Sequence, residues 1–246
     1  MIIKRCDANR ARIKDLELRL IVSTNDNERW AIKHIIARLR SDSTSAEACQ
    51  LIDEQFGGSK DWVILHDLRI KFGTQIVHLN HLLINNYMEF FCLDTRYINH
   101  GMTITNEGAC YAVSGQSSQL IKSPIRRMQR STLLVNQLLK QSDILPKKFG
   151  IKKPSCVTGY ILTHSSKRIE RPSKTVFDSA AVISHDSLFP VIWQEPLHWI
   201  RKMIKPMDES ELKHVGKAIA SLHYSLIDKP IKSAPQANET QDDVLN

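Results

Sequence analysis

Paired cysteines, a glycine-rich phosphate loop, a secretory leader and a membrane-length apolar run are all missing from this chain, and each absence removes a class of protein. Cys6, Cys49, Cys92, Cys110 and Cys156 are widely spread and include no C-x-x-C pair, so their spacing indicates neither a disulfide framework nor a zinc ribbon. Gly57-Gly58 lacks the Gly-Lys-Ser/Thr that would complete a P-loop, and no G-x-G-x-x-G occurs, which argues against nucleotide hydrolysis. No nucleophile sits on a recognisable elbow, so a Ser/His/Asp or Cys/His hydrolase is rejected. The opening MIIKRCDANR carries charges where a secretory signal needs its apolar stretch, and no apolar run is long enough to span a bilayer. These absences predict a cytoplasmic protein kept in a reducing compartment. Internal repeats and low-complexity blocks are also missing.

What remains is an ordinary soluble composition with a basic bias. A length of 246 residues suits one sizeable α/β domain with extensions, and 42% hydrophobic with 24% charged residues can build a real core. Lys+Arg 34 against Asp+Glu 26 gives a net charge of +8, which favours association with a polyanion. A solvated basic surface would give the same figure.

The pattern along the chain divides it into a helical extension over residues 1–43, a main domain over 44–193, a helical region over 194–228 and a disordered tail over 229–246. In the extension, Ile13, Leu16 and Leu20 share a stripe, as do Trp30, Ile35 and Leu39 after the STNDN turn, which predicts a charged helical hairpin. A further helix is expected from Ser41 to Phe56, with Ala48, Leu51, Ile52 and Phe56 on one face. Strands follow at 62–70, 76–84, 88–98 and 102–113, and one or two more within 156–163 and 180–193. Between them, Ser123-Pro124 starts a helix through Lys140 whose apolar face holds Ile125, Met128, Leu133 and Leu134. Arg126, Arg127 and Arg130 project from its first two turns. A last helix begins at Asp208, with Glu211 completing a capping box, and carries Leu212, Val215, Ile219 and Leu222.

The most informative stretch is QIVHLNHLLINNYMEFFCLDTRYI, residues 75–98, which reads as two strands joined at Asn85-Asn86. Asn80, Asp94 and Arg96 are its polar exceptions. A period of two puts His78 with Asn80 on one face of the first strand and Asp94 with Arg96 on one face of the second, so a carboxylate and a cation lie side by side. His78 and His81, three apart, fall on opposite faces, which argues against a shared ion, and each reads as a hydrogen-bonded structural histidine.

A helix, HDLRI, a strand ending NHLLIN, an acid-x-basic strand, T-I-T-x-x-G and then S-P-I at a helix start resemble, in this order and spacing, the NERD (nuclease-related domain) family of bacterial proteins over about residues 44–190. The resemblance implies an α/β fold with a restriction-endonuclease-like mixed sheet flanked by helices, and Mg²⁺-dependent hydrolysis of nucleic acid, DNA in the first place. It also implies roles. The family's strand aspartate falls on Asn80 and is followed by His81, its Glu-x-Lys falls on Asp94-x-Arg96, and its first-helix Gly-Glu falls near Thr44-Ser45, with Glu47 two residues later. The glutamine that follows Ser-Pro-Ile falls on Arg127.

On this correspondence Asp94, Arg96 and Asn80 are the catalytic positions and Asp94 and Glu47 the metal ligands, while the place of Arg126, Arg127 and Arg130 at a helix start makes them the expected nucleic-acid contacts. The working groups are degenerate. Mg²⁺ favours carboxylate oxygens, and Asn80 offers only a neutral carbonyl. Arg96 can hold a phosphate but stays charged, so it is a poor general base where the family has lysine. Two functions follow from these substitutions: a weakened or lost metal-dependent nuclease, or a non-catalytic module that binds nucleic acid or another protein on the same fold.

Overall fold

A computed structural model describes residues 1–6, 10–96, 101–115, 117–148, 150–164, 168–194 and 206–224. Among these, residues 10–43 form one compact unit, and residues 1–6 with 44–224 form another.

The smaller unit is a helical hairpin of α1 (Arg10–Val22) and the first part of α2 (Asp26–Phe56). The Asn25 side chain accepts from the backbone N–H of Asn27 and Glu28, capping α2 as its residue type favours. Arg29 closes the turn by donating to the carbonyls of Leu20 and Ser23. Leu16, Ile32, Ile36 and Leu39 are buried against Ile13, Leu20 and Ile35, whereas Trp30 is half exposed. The helix expected to start at Ser41 is instead the continuation of α2. A Ser/Thr-rich stretch only weakly disfavours helix, and that preference yields to its context here.

The first strand, β1 (Ile2–Lys4), precedes the helical hairpin and was not expected. It pairs in parallel with β2 (Trp62–Phe72), Ile2 opposite Ile64. Three residues are too few to carry a period. β2, β3 (Gln75–Asn85) and β4 (Glu89–Thr95) then form the expected antiparallel meander. The run at 102–113 is not one strand but a hairpin of β5 (Gly101–Ile104) and β6 (Cys110–Ser114), turned at Thr105–Ala109 around Gly108 with φ 79°. With β7 (Ser117–Ile121) they belong to a second sheet.

After α3 (Pro124–Gln141) come β8 (Lys147–Lys148), β9 (Ile151–Lys152), β10 (Cys156–Thr163) and β11 (Arg168–Glu170). β12 (Val182–Ser184) is short, and the apolar run expected to extend it becomes α4 (Leu188–Gln194). α5 (Glu209–Ala220) closes the described chain with both halves of its capping box made. The tail at 229–246 and residues 97–98 of the expected third strand lie outside the described residues. No described helix is long and apolar enough to cross a membrane.

The main sheet is mixed, in the order β1-β2-β3-β4-β10-β12, with β10 parallel to both β4 and β12. The second is β11-β5-β6-β7. Helices flank the main sheet on both faces, so its central strands are apolar on both sides rather than alternating. Phe90 joins the layer covered by α3 and α5, and its neighbour Phe91 joins the layer that includes Ile52 and Phe56 of α2 and Leu188 and Ile192 of α4. In α3, Ile125, Met128, Val135, Leu138 and Leu139 make the buried face, while Leu133 points outward. The helix seats tightly: a Cβ at Gly159 of β10 would lie 2.6 Å from Met128 Cγ and from Thr132 Cγ2.

One irregularity sets up the site. Val63 and Leu65 face the α3 layer, but beyond Asp67 it is Leu68 and Ile70 that do so, and β3 switches in the same place from Leu82 and Ile84 to Val77 and Leu79. Asp67 has φ 48°, a left-handed conformation uncommon outside glycine, and it absorbs the change of face.

Candidate functional site

Asp94 is the buried centre of the site. It follows Phe90 and Cys92 on the α3 side of β4 and is 4% exposed. Arg96 donates from Nε to its Oδ2 at 3.0 Å, and Arg127 of α3 places Nη2 3.6 Å from Oδ1. A buried carboxylate needs such partners, because removing a charge from water is costly without them. The acid-x-basic pairing expected of Asp94 and Arg96 is therefore present. Asn80 is buried and lies one residue beyond the last β3–β4 register pair, His81 with Leu93, so it adjoins Asp94 at the end of that pairing. On its other side, between the pairs His66 with His81 and Leu68 with Leu79, the register sets Asp67 opposite Asn80.

Asp67, Asn80 and Asp94 thus form one row across β2, β3 and β4. Both acids are held by the arginine two residues on: Arg69 Nη2 is 2.9 Å from Asp67 Oδ1, which also takes His78 Nε2 at 2.8 Å. Asp67 sits within the HDLRI motif, but period-two reasoning did not single it out because its own backbone breaks the period.

Glu47 is not brought to Asp94, which corrects the expected metal pair. It is exposed on α2, whose buried residues face the opposite side of the sheet from α3. A Mg²⁺ ion takes oxygen ligands and needs net negative charge around it. The residues present do not fit one: of the two acids in the row, Asp94 is held by Arg96 and Arg127, and Asp67 by Arg69 and His78.

Arg126, Arg127 and Arg130 are all exposed in the opening turns of α3. Ser123 caps this helix, its Oγ accepting from the backbone N–H of Arg126, and Pro124 occupies the first turn, where a missing N–H costs nothing. Arg130 also donates to Gln75 Oε1 at 3.2 Å. Three cations meet on one surface at the positive end of the helix dipole.

Beneath α2 lies a second polar group that the spacing of residues could not reveal. The structure joins Cys6 and Cys49 in a disulfide, a correction to the reading of five scattered cysteines, because the partners come from the end of β1 and from α2. His66 and His81 are fully buried beside it. Burial pushes the pKa of His66 down against the raising effect of Asp53, and burial with the neighbouring His66 pushes His81 down further, so both imidazoles are neutral. His185 is also buried and lowered, chiefly by burial, and its Nε2 has no hydrogen-bond partner among the described residues. Cys92 stands apart in the core, its thiol pushed up to about 12 by burial.

Comparison with known proteins bears on the first of these groups. No curated protein and no solved structure matches the chain. The family model described as nuclease-related domain matches residues 44–163, from the middle of α2 to the end of β10. That span contains the polar row, the Arg96 and Arg127 partners of Asp94, and the start of α3. Over residues 44–163 the chain therefore carries a domain of the nuclease-related domain (NERD) family.

Proposed function

We propose that this nuclease-related domain holds nucleic-acid backbones, DNA in the first place, through the first turns of α3, and that it no longer hydrolyses them with a divalent metal. The observation that carries the reading is the state of Asp94. Its carboxylate is buried between Arg96 and Arg127, at 3.0 and 3.6 Å, where a magnesium ligand would have to face solvent or a second acid. Phosphodiester hydrolysis needs charge compensation at the phosphoryl oxygens and a group to activate water. Neither Asn80 nor Arg96 supplies the second role. Phosphate binding needs only cations at the right place, and the α3 start offers three guanidiniums beside the positive end of the helix dipole.

Isothermal titration with Mg²⁺, paired with a cleavage assay on labelled DNA, tests the metal half of the reading. Wild type should take up no Mg²⁺ and leave the DNA intact while retarding it at low salt. Asn80→Asp with Arg96→Lys adds a carboxylate beside Asp94 and removes one guanidinium, so this variant should show measurable Mg²⁺ uptake. Wild-type uptake equal to that of the variant, together with cleavage, would overturn the proposal.

A further inference from the structure

We infer that Cys6, Cys49, His66 and His81 form a binding site for a zinc-class divalent ion once the Cys6–Cys49 disulfide is reduced. One ligand atom each from Cys6, Cys49 and His66 lies within 4.8 Å of the others. His81 adjoins this trio without belonging to it: its Nδ1 is 3.9 Å from Cys49 Sγ and 2.7 Å from His66 Nδ1, and it becomes the fourth ligand by closing on the side of Cys6. These residues come from β1's end, α2, β2 and β3, all within one compact unit. Tetrahedral zinc bound by two thiolates and two imidazoles has ligand atoms roughly 3.3–3.8 Å apart, given bonds near 2.3 and 2.0 Å. To match, the two imidazole nitrogens open from 2.7 Å and His81 moves toward Cys6.

The hydrogen bonds outside the cluster suit the same ion. His66 Nε2 lies 2.9 Å from Asp53 Oδ1, and a carboxylate accepts only, so Nε2 donates to it and Nδ1 is the ring atom facing His81. His81 Nε2 is 3.0 Å from Thr95 Oγ1, which can accept from it and leave a second Nδ1 lone pair facing the same point. Without metal, a ring proton bridges the two Nδ1 atoms at 2.7 Å, and a cation takes its place when that proton moves to His81 Nε2. A carboxylate behind one imidazole and a hydroxyl behind the other are the outer partners that orient metal-ligating histidines. The donor set is soft and includes no carboxylate, which selects zinc over Mg²⁺ or Ca²⁺.

Loading balances simply. A phosphine or dithiol reductant supplies two electrons, and two protons from water complete the thiols of Cys6 and Cys49. Both thiols then give up their protons as Sγ–metal bonds form, so one ion is exchanged for two protons. Cα atoms 6.8 Å apart stand at the wide end of the disulfide range, so the thiolates can separate around an ion with little backbone movement. The bound ion would tie β1 and α2 to the β2–β3 hairpin.

The test uses the full chain, reduced with a phosphine, stripped with a chelator and then titrated with Zn²⁺ against a chromophoric competitor, with Co²⁺ as the spectroscopic probe. One Zn²⁺ per chain is expected, with visible tetrahedral Co²⁺ bands and thiolate charge transfer. Cys6→Ser, at a half-buried position just after β1, should abolish the charge transfer band of one thiolate and weaken zinc binding at least tenfold. Asp53→Asn should weaken it by about 10–100-fold, the range for lost outer-sphere partners, without removing a ligand. Cys156→Ser should leave the spectrum unaltered. A reduced, folded wild-type chain that takes up no zinc, or a Cys6→Ser chain that binds it as wild type does, would overturn the inference. Far-ultraviolet circular dichroism on each variant separates lost folding from lost binding.

Discussion

Replacing Arg126, Arg127 and Arg130 together by Ala should flatten the dependence of DNA affinity on salt by about 2 to 3 units of slope, since each neutralised phosphate contributes about 0.9. The three side chains are exposed in the opening turns of α3, so their loss should leave the helix and its cap in place. Affinity at low salt should fall by more than an order of magnitude, because released counterions are the chief driving force for backbone binding. Preference among DNA sequences should barely change, since phosphate contacts position a protein without reading bases. Fluorescence anisotropy over a series of salt concentrations measures both effects. An unchanged slope would mean that α3 faces solvent or a partner rather than nucleic acid.

The second large effect concerns the fold that holds this surface. Phe90→Ala and Phe91→Ala should each destabilise the protein by about 3–5 kcal/mol, a large share of the 5–15 kcal/mol typical of a folded domain. The two residues are adjacent and both fully buried, yet they enter different layers of the core. A sheet covered on only one face would give one large cost and one within about 0.5 kcal/mol of zero. Urea unfolding of the two variants distinguishes the cases: two large losses support helices on both faces, and a near-neutral Phe91→Ala contradicts them.

The parts of this protein that could be read from its sequence are those in which local pattern and final packing agree. The β2–β3–β4 meander follows from apolar runs broken by turn residues, and α3 and α5 follow from their caps, Ser123-Pro124 and Asp208 with Glu211. Period-two reasoning fails at Asp67, where a non-glycine residue at φ 48° exchanges the two faces of β2. Nothing local announces that conformation. Glu47 was misplaced for a different reason: a helix pattern fixes which residues share a face but not which side of a sheet the helix covers. The Cys6, Cys49, His66 and His81 cluster is assembled from three elements and the segment after β1, with its cysteines 43 positions apart, and such long-range meetings leave no spacing signature. Asp94 with Arg96 was recoverable because both lie on one strand and its immediate continuation.

The measurement that bears most directly on the central claim is a comparison of wild type with Asp94→Asn, in which DNA binding and Mg²⁺-dependent cleavage are followed in the same samples. Asn fills the same space and removes one negative charge from between Arg96 and Arg127, freeing both guanidiniums toward phosphate. No cleavage by either protein, with severalfold tighter binding by Asp94→Asn, is the result the account predicts. Mg²⁺-dependent cleavage by wild type that Asp94→Asn abolishes while binding is unchanged would contradict it, since Asp94 would then be serving as a metal ligand rather than as the partner of two arginines.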